Sequence, residues 1–262
     1  MFRLTREVRF AINVARADEQ LSGKPSNSYG GFPSITGLAH YFVLRATLAG
    51  ELDPQTSYLL NIKDVDQRVR AVAIPRIASA VQARTFGPLI VSEVFNGLLN
   101  AWPSAKLDRL ELKLSPLLSL EVRSSELPMV RLSQKFEFSA THRLFNPKLS
   151  EEENRAAFGK CNNPHGHGHN YEVQVTLSGE ADDRLLTNIP EFERVVAATV
   201  IDRFDHKNLN VELAEFRDVI PTVENIARVI YGMLKPKFAA AKAKLASVTV
   251  WETPKTWCEY AE

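Results

Sequence analysis

Two segments in the second half of the chain alternate apolar and polar residues, which is the pattern of a strand with one buried face. The apolar face of the first segment consists of Phe136, Phe138, Ala140 and His142. The apolar face of the second segment consists of His167, His169, Tyr171, Val173, Val175 and Leu177. The pattern therefore predicts two strands, each with an imidazole at the end of an apolar face.

The segment between these strands carries the signals of a short helix. Ser150 and Glu153 have the spacing of a capping box, in which the two residues satisfy backbone N–H groups at the start of a helix. Gly159 is suited to close the helix, because glycine adopts the left-handed conformation common after a last turn. The predicted helix thus ends just before Cys161 and brings this thiol towards the second strand.

Apolar residues at a spacing of three to four predict the main helices. This spacing extends over Phe192–Phe204 and Thr222–Leu245. The segment Ser247–Pro254 alternates again and places Glu252 on the same face as two valines. The order strand, strand, helix, helix, strand predicts an α+β fold in which helices cover one side of an antiparallel sheet.

The first half of the chain repeats the second half in outline. His40–Glu51 aligns with His169–Glu180, because both segments end in Thr-Leu, a small residue, Gly and Glu, and other segments align in the same order. A duplicated domain explains this order, and chance similarity of two amphipathic α+β units is the alternative. The polar segment Glu121–Val130 is the predicted boundary. We therefore predict domains at 1–125 and 130–262, each a four-stranded antiparallel sheet with two helices on one face.

Composition and charge exclude several classes of protein. The 262 residues are 45% apolar and 24% charged with a net charge of +1, so the chain can bury a core and has no strong field for nucleic acid. No segment is apolar over the roughly 18 residues that a membrane span needs, and the first ten residues do not resemble a signal peptide. We expect a cytoplasmic protein without nucleic-acid or membrane partners, whose cysteines are free thiols or ligands.

The histidine-rich stretch Cys161–Tyr171 is the strongest chemical signal in the sequence. His167 and His169 stand two positions apart on a predicted strand, so their side chains point to the same side. With His142 from the neighbouring strand they form a set of three imidazoles, which is typical of catalytic zinc with an open position. Two alternatives are surface histidines in a Gly-rich loop and a closed structural zinc site with Cys161 as fourth ligand. His165 has no assigned role.

Five motifs in the second half together resemble one family of enzymes. They are FSATHRL, CNNPHGHGHNY, FDHKNLN, PTVENIA and VWETPKTWCEY. In this order they resemble the 6-pyruvoyl-tetrahydropterin synthase and 6-carboxy-tetrahydropterin synthase family of tunnelling-fold enzymes, over roughly Val130–Glu262. The resemblance implies that His142, His167 and His169 bind Zn²⁺ and that Cys161 is the catalytic cysteine.

The resemblance also implies roles for residues further along the chain. Asp205 and His206 correspond to the family's proton-transfer pair, and Glu252 corresponds to the carboxylate that anchors the pterin. A carboxylate suits this task because it accepts two parallel hydrogen bonds from the pterin's amino group and ring N–H. Thr222 and Glu224 correspond to residues that line the substrate pocket.

The activity implied by the resemblance is a zinc-dependent lyase reaction on 7,8-dihydroneopterin triphosphate with loss of triphosphate. Both 6-pyruvoyl- and 6-carboxy-tetrahydropterin remain possible products, and queuosine biosynthesis remains a possible pathway. Arg143 and Lys207 are candidates for contact with the phosphates. The alternative function is a non-catalytic zinc-containing binding or assembly module of the same fold.

The first half lacks the chemical residues of the second half at the aligned positions. Val14 and Leu38 stand where the second half has its first two zinc-binding histidines, and only His40 is retained. Leu114 stands opposite the pterin anchor, and nothing resembling the Asp-His pair occurs near Arg76. We therefore expect a degenerate domain without metal, which supplies strands and an interface to a homo-oligomer.

A ligand of its own, held by the loop Ser26–Ser34, is the alternative role for the first half.

Overall fold

The computed structural model describes residues 1–13, 27–85, 87–182 and 186–262. The chain divides into two compact units. The first unit comprises Met1–Leu132 and Gly179–Leu186, and the second comprises Ser133–Ser178 and Thr187–Glu262. In the described part of the chain, no helix is both long and apolar enough to cross a membrane.

The first unit contains a sheet with the strand order β1-β2-β3-β4, in which neighbouring strands run antiparallel. Its elements are β1 (Phe2–Asn13), β2 (Ala39–Gly50), α1 (Ile62–Ala83), α2 (Gly87–Leu98), β3 (Ala105–Lys113) and β4 (Leu118–Arg123). The side chain of Asn61 accepts a hydrogen bond from the N–H of Lys63 and so caps α1. Apolar side chains such as Phe10, Leu44 and Phe95 are fully buried in its core.

The second unit repeats the sequence of strands and helices with additional short elements. Its elements are β5 (Met129–His142), α3 (Glu151–Phe158), β6 (His167–Glu180), α4 (Ile189–Val196), α5 (Asp202–Phe204), β7 (Lys207–Asn208), α6 (Leu209–Glu212), α7 (Val223–Phe238), β8 (Lys244–Thr253) and β9 (Thr256–Tyr260). The sheet order is β5-β6-β8-β9, and β7 pairs with β5 in parallel. Helix α7 packs against β8 and β9.

The described elements confirm the predicted α+β class and the two histidine-ended strands. Phe138, Ala140 and His142 are buried on one face of β5, and Tyr171 is buried on β6. The capping box is also confirmed, because Ser150 and Glu153 hydrogen-bond reciprocally at the start of α3. The division between the units lies at Leu132, inside β5, so the domain bounds at 1–125 and 130–262 stay predictions.

The predicted extent of one helix is wrong. Helix α7 ends at Phe238, although the sequence predicted a helix as far as Leu245. The Ala- and Lys-rich segment favours a helix locally, but Leu245 pairs with Leu177 in the β6–β8 ladder. The predicted helix Phe192–Phe204 is confirmed, because α4 continues through a π-helical turn at Ala197–Ile201 into α5 without a break.

A pair of hydroxyl groups occurs at corresponding positions in both units. The hydroxyls of Thr5 and Thr47 lie 2.9 Å apart in the first unit, and those of Ser133 and Thr176 lie 2.9 Å apart in the second. The pairing of β2 with β3 shifts register immediately after Thr47. The pairing of β6 with β8 shifts register immediately after Thr176. The predicted alignment equates Thr47 with Thr176.

Candidate active site

The side chains of His142, His167 and His169 converge at one end of the sheet in the second unit. One ring nitrogen from each lies within 4.8 Å of the others, and the Nε2 atoms of His142 and His167 are 3.1 Å apart. His142 is fully buried, whereas the other two rings are partly exposed. The structure therefore brings together the three imidazoles that the strand pattern selected.

Glycine at position 166 allows β6 to begin close to the end of β5. Gly166 has a φ of +73°, and a Cβ at this position would lie 3.0 Å from the carbonyl oxygen of His142. A residue with a side chain would be strained in this left-handed conformation and would press on the strand that holds His142. The close approach of the two backbones positions His167 beside His142.

A backbone carbonyl fixes the orientation of the His142 ring. The Nδ1 of His142 lies 2.7 Å from the carbonyl oxygen of Pro221. A carbonyl only accepts hydrogen bonds, so Nδ1 carries a proton and Nε2 faces the other two rings. The hydroxyl of Tyr171 lies 3.3 Å from the same Nδ1, and burial raises the pKa of this phenol, which keeps it protonated.

The donor set fits a metal ion. Nδ1 of His167 and Nε2 of His169 are buried and have no hydrogen-bond partner among the described residues, which is costly unless another group satisfies them. Burial lowers the pKa of both His167 and His169, so these rings are neutral near pH 7, which is the form that binds metals. In the described part of the chain, no second cluster of three such ligands occurs.

Glu252 adds a carboxylate to the histidine cluster. Its Oε1 lies 3.3 Å from Nε2 of His142 and 3.6 Å from Nε2 of His169. Strand β8 brings it there, because Trp251 pairs with Glu172 in the adjacent strand β6. The contact with His142 lowers the pKa of the Glu252 carboxyl, so this group is ionised near neutral pH.

Cys161 lies near the cluster at the end of the insert between β5 and β6. The 3₁₀ turn Gly159–Asn162 follows α3, and the carbonyl of Cys161 accepts a hydrogen bond of 2.9 Å from the N–H of Leu144, two residues after His142. Cys161 also helps to raise the pKa of Tyr171, after burial and Glu252. The thiol is partly exposed, so it is open to a ligand.

Asp205 and His206 form the expected pair at the edge of β5, where the N–H of His206 also donates to the carbonyl of Ser139. Oδ2 of Asp205 lies 2.7 Å from Nδ1 of His206. Oδ1 of Asp205 accepts a hydrogen bond of 2.8 Å from the backbone N–H of Ser139. These contacts lower the pKa of Asp205, the bond from Ser139 most strongly. Ser139 and Thr141 point away from the buried face of β5. The side chain of His206 is 83% exposed.

An open cleft of about 550 Å³ borders His206. Ser139, Thr141, Asn170 and His169 line it together with His206. Lys207 also lines the cleft, where its Nζ lies 3.0 Å from Glu212.

Thr222 and Glu224 lie at the start of helix α7. The hydroxyl of Thr222 accepts a hydrogen bond from the N–H of Asn225 and caps α7. Glu224 is exposed in the first turn of α7. Burial raises the pKa of the Cys258 thiol, and the nearby charge of Glu224 adds to this effect.

The supporting contacts of Pro221 and Tyr171 were missed by sequence reasoning. Tyr171 stood on the predicted histidine face, which was the one available signal. His165 is exposed, and its N–H donates to the side chain of Asn163.

With the exception of His40, the described positions of the first unit that align with the histidine cluster and Glu252 carry different side chains. Val14 and Ser26 lie outside the described residues. Leu38 is 95% exposed, and the ring of His40 stacks on Phe42 at a centroid distance of 6.3 Å. Leu114 is exposed directly after β3. These described positions offer one imidazole and no carboxylate in place of the histidine cluster and Glu252.

Comparison with known proteins places residues 131–262 in one family. The model of the 6-pyruvoyl tetrahydropterin synthase family matches these residues, which are half of the chain. The 6-pyruvoyl tetrahydrobiopterin synthase of Homo sapiens is 41% identical over 125 residues, which cover 47% of this chain and 85% of the relative. The 6-carboxy-5,6,7,8-tetrahydropterin synthase of Haemophilus influenzae is 27% identical over 156 residues, which cover 51% of this chain and 100% of the relative.

Among solved structures, 6-pyruvoyl tetrahydropterin synthase of Caenorhabditis elegans is similar to this chain. The two are 36% identical with a TM-score of 0.49, over 52% of this chain and 96% of the other. The family match covers all five motifs, so the prediction made from them is confirmed. The chain is a member of the 6-pyruvoyl tetrahydropterin synthase family of enzymes.

Proposed function

We propose that the second unit is a zinc-dependent pterin synthase that acts on 7,8-dihydroneopterin triphosphate with loss of triphosphate. The observation that carries the proposal is the convergence of His142, His167 and His169 with the carboxylate of Glu252 in a chain of this family. Three imidazoles leave a position open for substrate, as in catalytic zinc sites. The higher identity to a relative named for the pyruvoyl product supports 6-pyruvoyl-tetrahydropterin as the product.

Each residue of the site has a task in this proposal. Bound zinc supplies Lewis acidity to the hydroxyls of the substrate side chain. Cys161, as a thiolate, takes a proton from that side chain. Glu252 accepts hydrogen bonds from the amino group and ring N–H of the pterin, which its ionised state favours. Thr222 and Glu224 line the pterin pocket in this proposal.

Asp205 and His206 support the proposal that the active enzyme is a homo-oligomer. Asp205 keeps Nδ1 of His206 oriented, so Nε2 of this exposed ring is available to transfer a proton. The pair lies at the edge of β5, and His206 shares a cleft with Thr141, whose side chain points away from the face that holds the ring of His142. A second subunit packed against that cleft would bring the pair to an active site at the junction.

We also propose that the two units arose by tandem duplication of one tunnelling-fold domain, with loss of the site in the first copy. The repeated hydroxyl pair and register shift support this proposal. So does a repeated aromatic pair: Phe10 and Phe42 have ring centroids 5.8 Å apart, and Phe138 and Tyr171, at the aligned positions, have centroids 5.0 Å apart. The first copy then contributes strands and an interface to the assembly.

The test is turnover of 7,8-dihydroneopterin triphosphate by the purified full-length chain, followed as inorganic triphosphate release and by mass spectrometry of the pterin. We expect Cys161→Ala to retain metal and fold but to lose about 10²–10⁴ in rate, the usual contribution of a general base. Cys258→Ser is the matched control, and we expect it to remain active. Metal binding without triphosphate release by the wild-type protein would instead support the non-catalytic module. Loss of metal in Cys161→Ala would support a closed structural site.

A further inference from the structure

A second cavity of the second unit carries an excess of positive charge. Its volume is about 750 Å³, which is within the usual range for small-molecule sites. Three cations line it, Arg143, Lys148 and Arg217, against a single lining carboxylate, Asp218. In the part of the chain that the structure describes, no carboxylate forms an ion pair with these three cations. Lys207, by contrast, is paired with Glu212.

Arg143 is held rigidly at this cavity. Its Nε donates to both the carbonyl and the side-chain oxygen of the buried Asn162, each at 3.1 Å. The guanidinium lies over the ring of Phe145, with Cζ 4.3 Å from the centroid. Asn210 fixes the backbone of Arg143 through hydrogen bonds to its N–H and its carbonyl. A planar group fixed through Nε leaves its outer N–H groups to bind an anion without further ordering.

The cavity adjoins the histidine cluster through three separate segments. Arg143 directly follows His142, and Gly166, which also lines the cavity, directly precedes His167. Ile220 lines the cavity as well, and the next residue supplies the carbonyl that orients the His142 ring. Each of these three segments therefore carries a residue of the cavity directly next to a residue that forms or orients the histidine cluster.

We propose that this cavity binds the triphosphate group of the substrate while the pterin end is held at Glu252. The proposal rests on the proposed function for the identity of the substrate. Three cations around a cavity of this size suit a polyanion of several charges. The role of Arg217 and Lys148 is to bind the leaving triphosphate, and Asp218 weakens that binding.

The experiment is calorimetric titration of the full-length protein with inorganic tripolyphosphate, which requires no turnover. Lys148→Gln combined with Arg217→Gln removes two exposed cations of the cavity. Lys63→Gln combined with Lys237→Gln changes the net charge equally at exposed helix positions outside it. We expect the cavity double variant to weaken tripolyphosphate binding by at least about tenfold, and the control by less than about threefold. Asp218→Asn is expected to tighten binding, a gain that misfolding does not produce.

Substrate kinetics connect the anion site to the reaction. We expect the cavity variant to lower kcat/KM by at least about tenfold, because its cations contact the triphosphate both in the bound substrate and as the leaving group. Equal weakening of tripolyphosphate binding in the two double variants would overturn the proposal, as would an unchanged kcat/KM in the cavity variant. A wild-type protein without turnover would refute the proposed function, and the titration would still decide whether the cavity binds triphosphate.

Discussion

Gly166→Ala tests the link between the turn before β6 and the metal centre. Gly166 has a φ of +73°, and an added Cβ would lie 3.0 Å from the carbonyl oxygen of His142. The left-handed conformation costs an L-residue about 1–2 kcal/mol. Relief of the contact must also displace the backbone of His142, whose ring is tied to Pro221 at 2.7 Å.

We expect Gly166→Ala to lower both the stability of the protein and its affinity for zinc. An added 1–2 kcal/mol corresponds to a fall in Tm of roughly 2–8 °C for a protein of this size. Changes behind metal ligands typically weaken metal binding by about 10- to 100-fold, so we expect a loss of zinc affinity of about tenfold. Thermal unfolding of the metal-free protein and competition with a chromophoric zinc chelator measure the two effects separately.

Gly37→Ala is the matched control for backbone strain alone. Gly37 has a φ of +94°, and no heavy atom of the described residues lies within 4 Å of an added Cβ. We expect this variant to lose stability without loss of zinc affinity. If Gly166→Ala retains wild-type zinc affinity, the close approach to His142 does not position the ligand, and the reasoning is refuted.

Three further predictions concern the metal, the first unit and pH. The protein is expected to bind one zinc per chain and to lose it in the double variant His167→Ala, His169→Ala, so elemental analysis that finds two ions per chain, or full retention in the variant, contradicts the site. Val130–Glu262 alone is expected to be poorly soluble or much less active, and a fully active monomer in light scattering would contradict a role for the first unit. Arg131 lowers the pKa of Glu126 below its ordinary 4.5. The stability that the Glu126–Arg131 pair gives is therefore present above about pH 4.5 and is lost as the pH falls through the lowered pKa of Glu126 in the folded protein. We expect Glu126→Gln to be less stable than wild type near neutral pH and the difference in unfolding free energy to shrink in acid. A difference that does not change with pH would contradict the pairing.

Local patterns in the sequence determined much of the second unit. Strict alternation places His142 at the end of one buried face, and the spacing of His167 and His169 makes their side chains share a side. The capping box at Ser150 is also local, because it needs only residues within one helical turn. These features depend on neighbours within a few positions, so the sequence contains them directly.

Contacts between distant segments were decided only by the tertiary structure. The orientation of His142 depends on the carbonyl of Pro221, 79 positions along the chain, and a backbone carbonyl leaves no mark in the sequence. The carboxylate of Glu252 reaches the histidines because β8 pairs beside β6. The same pairing includes Lys244 and Leu245, which the local pattern had placed in the helix that ends at Phe238. Asp205 is adjacent to His206 in sequence, yet the position of the pair beside β5 depends on hydrogen bonds to the backbone of Ser139. The sequence specified the chemical groups through short-range periodicity, whereas their mutual distances depend on strand pairing and helix packing over long separations.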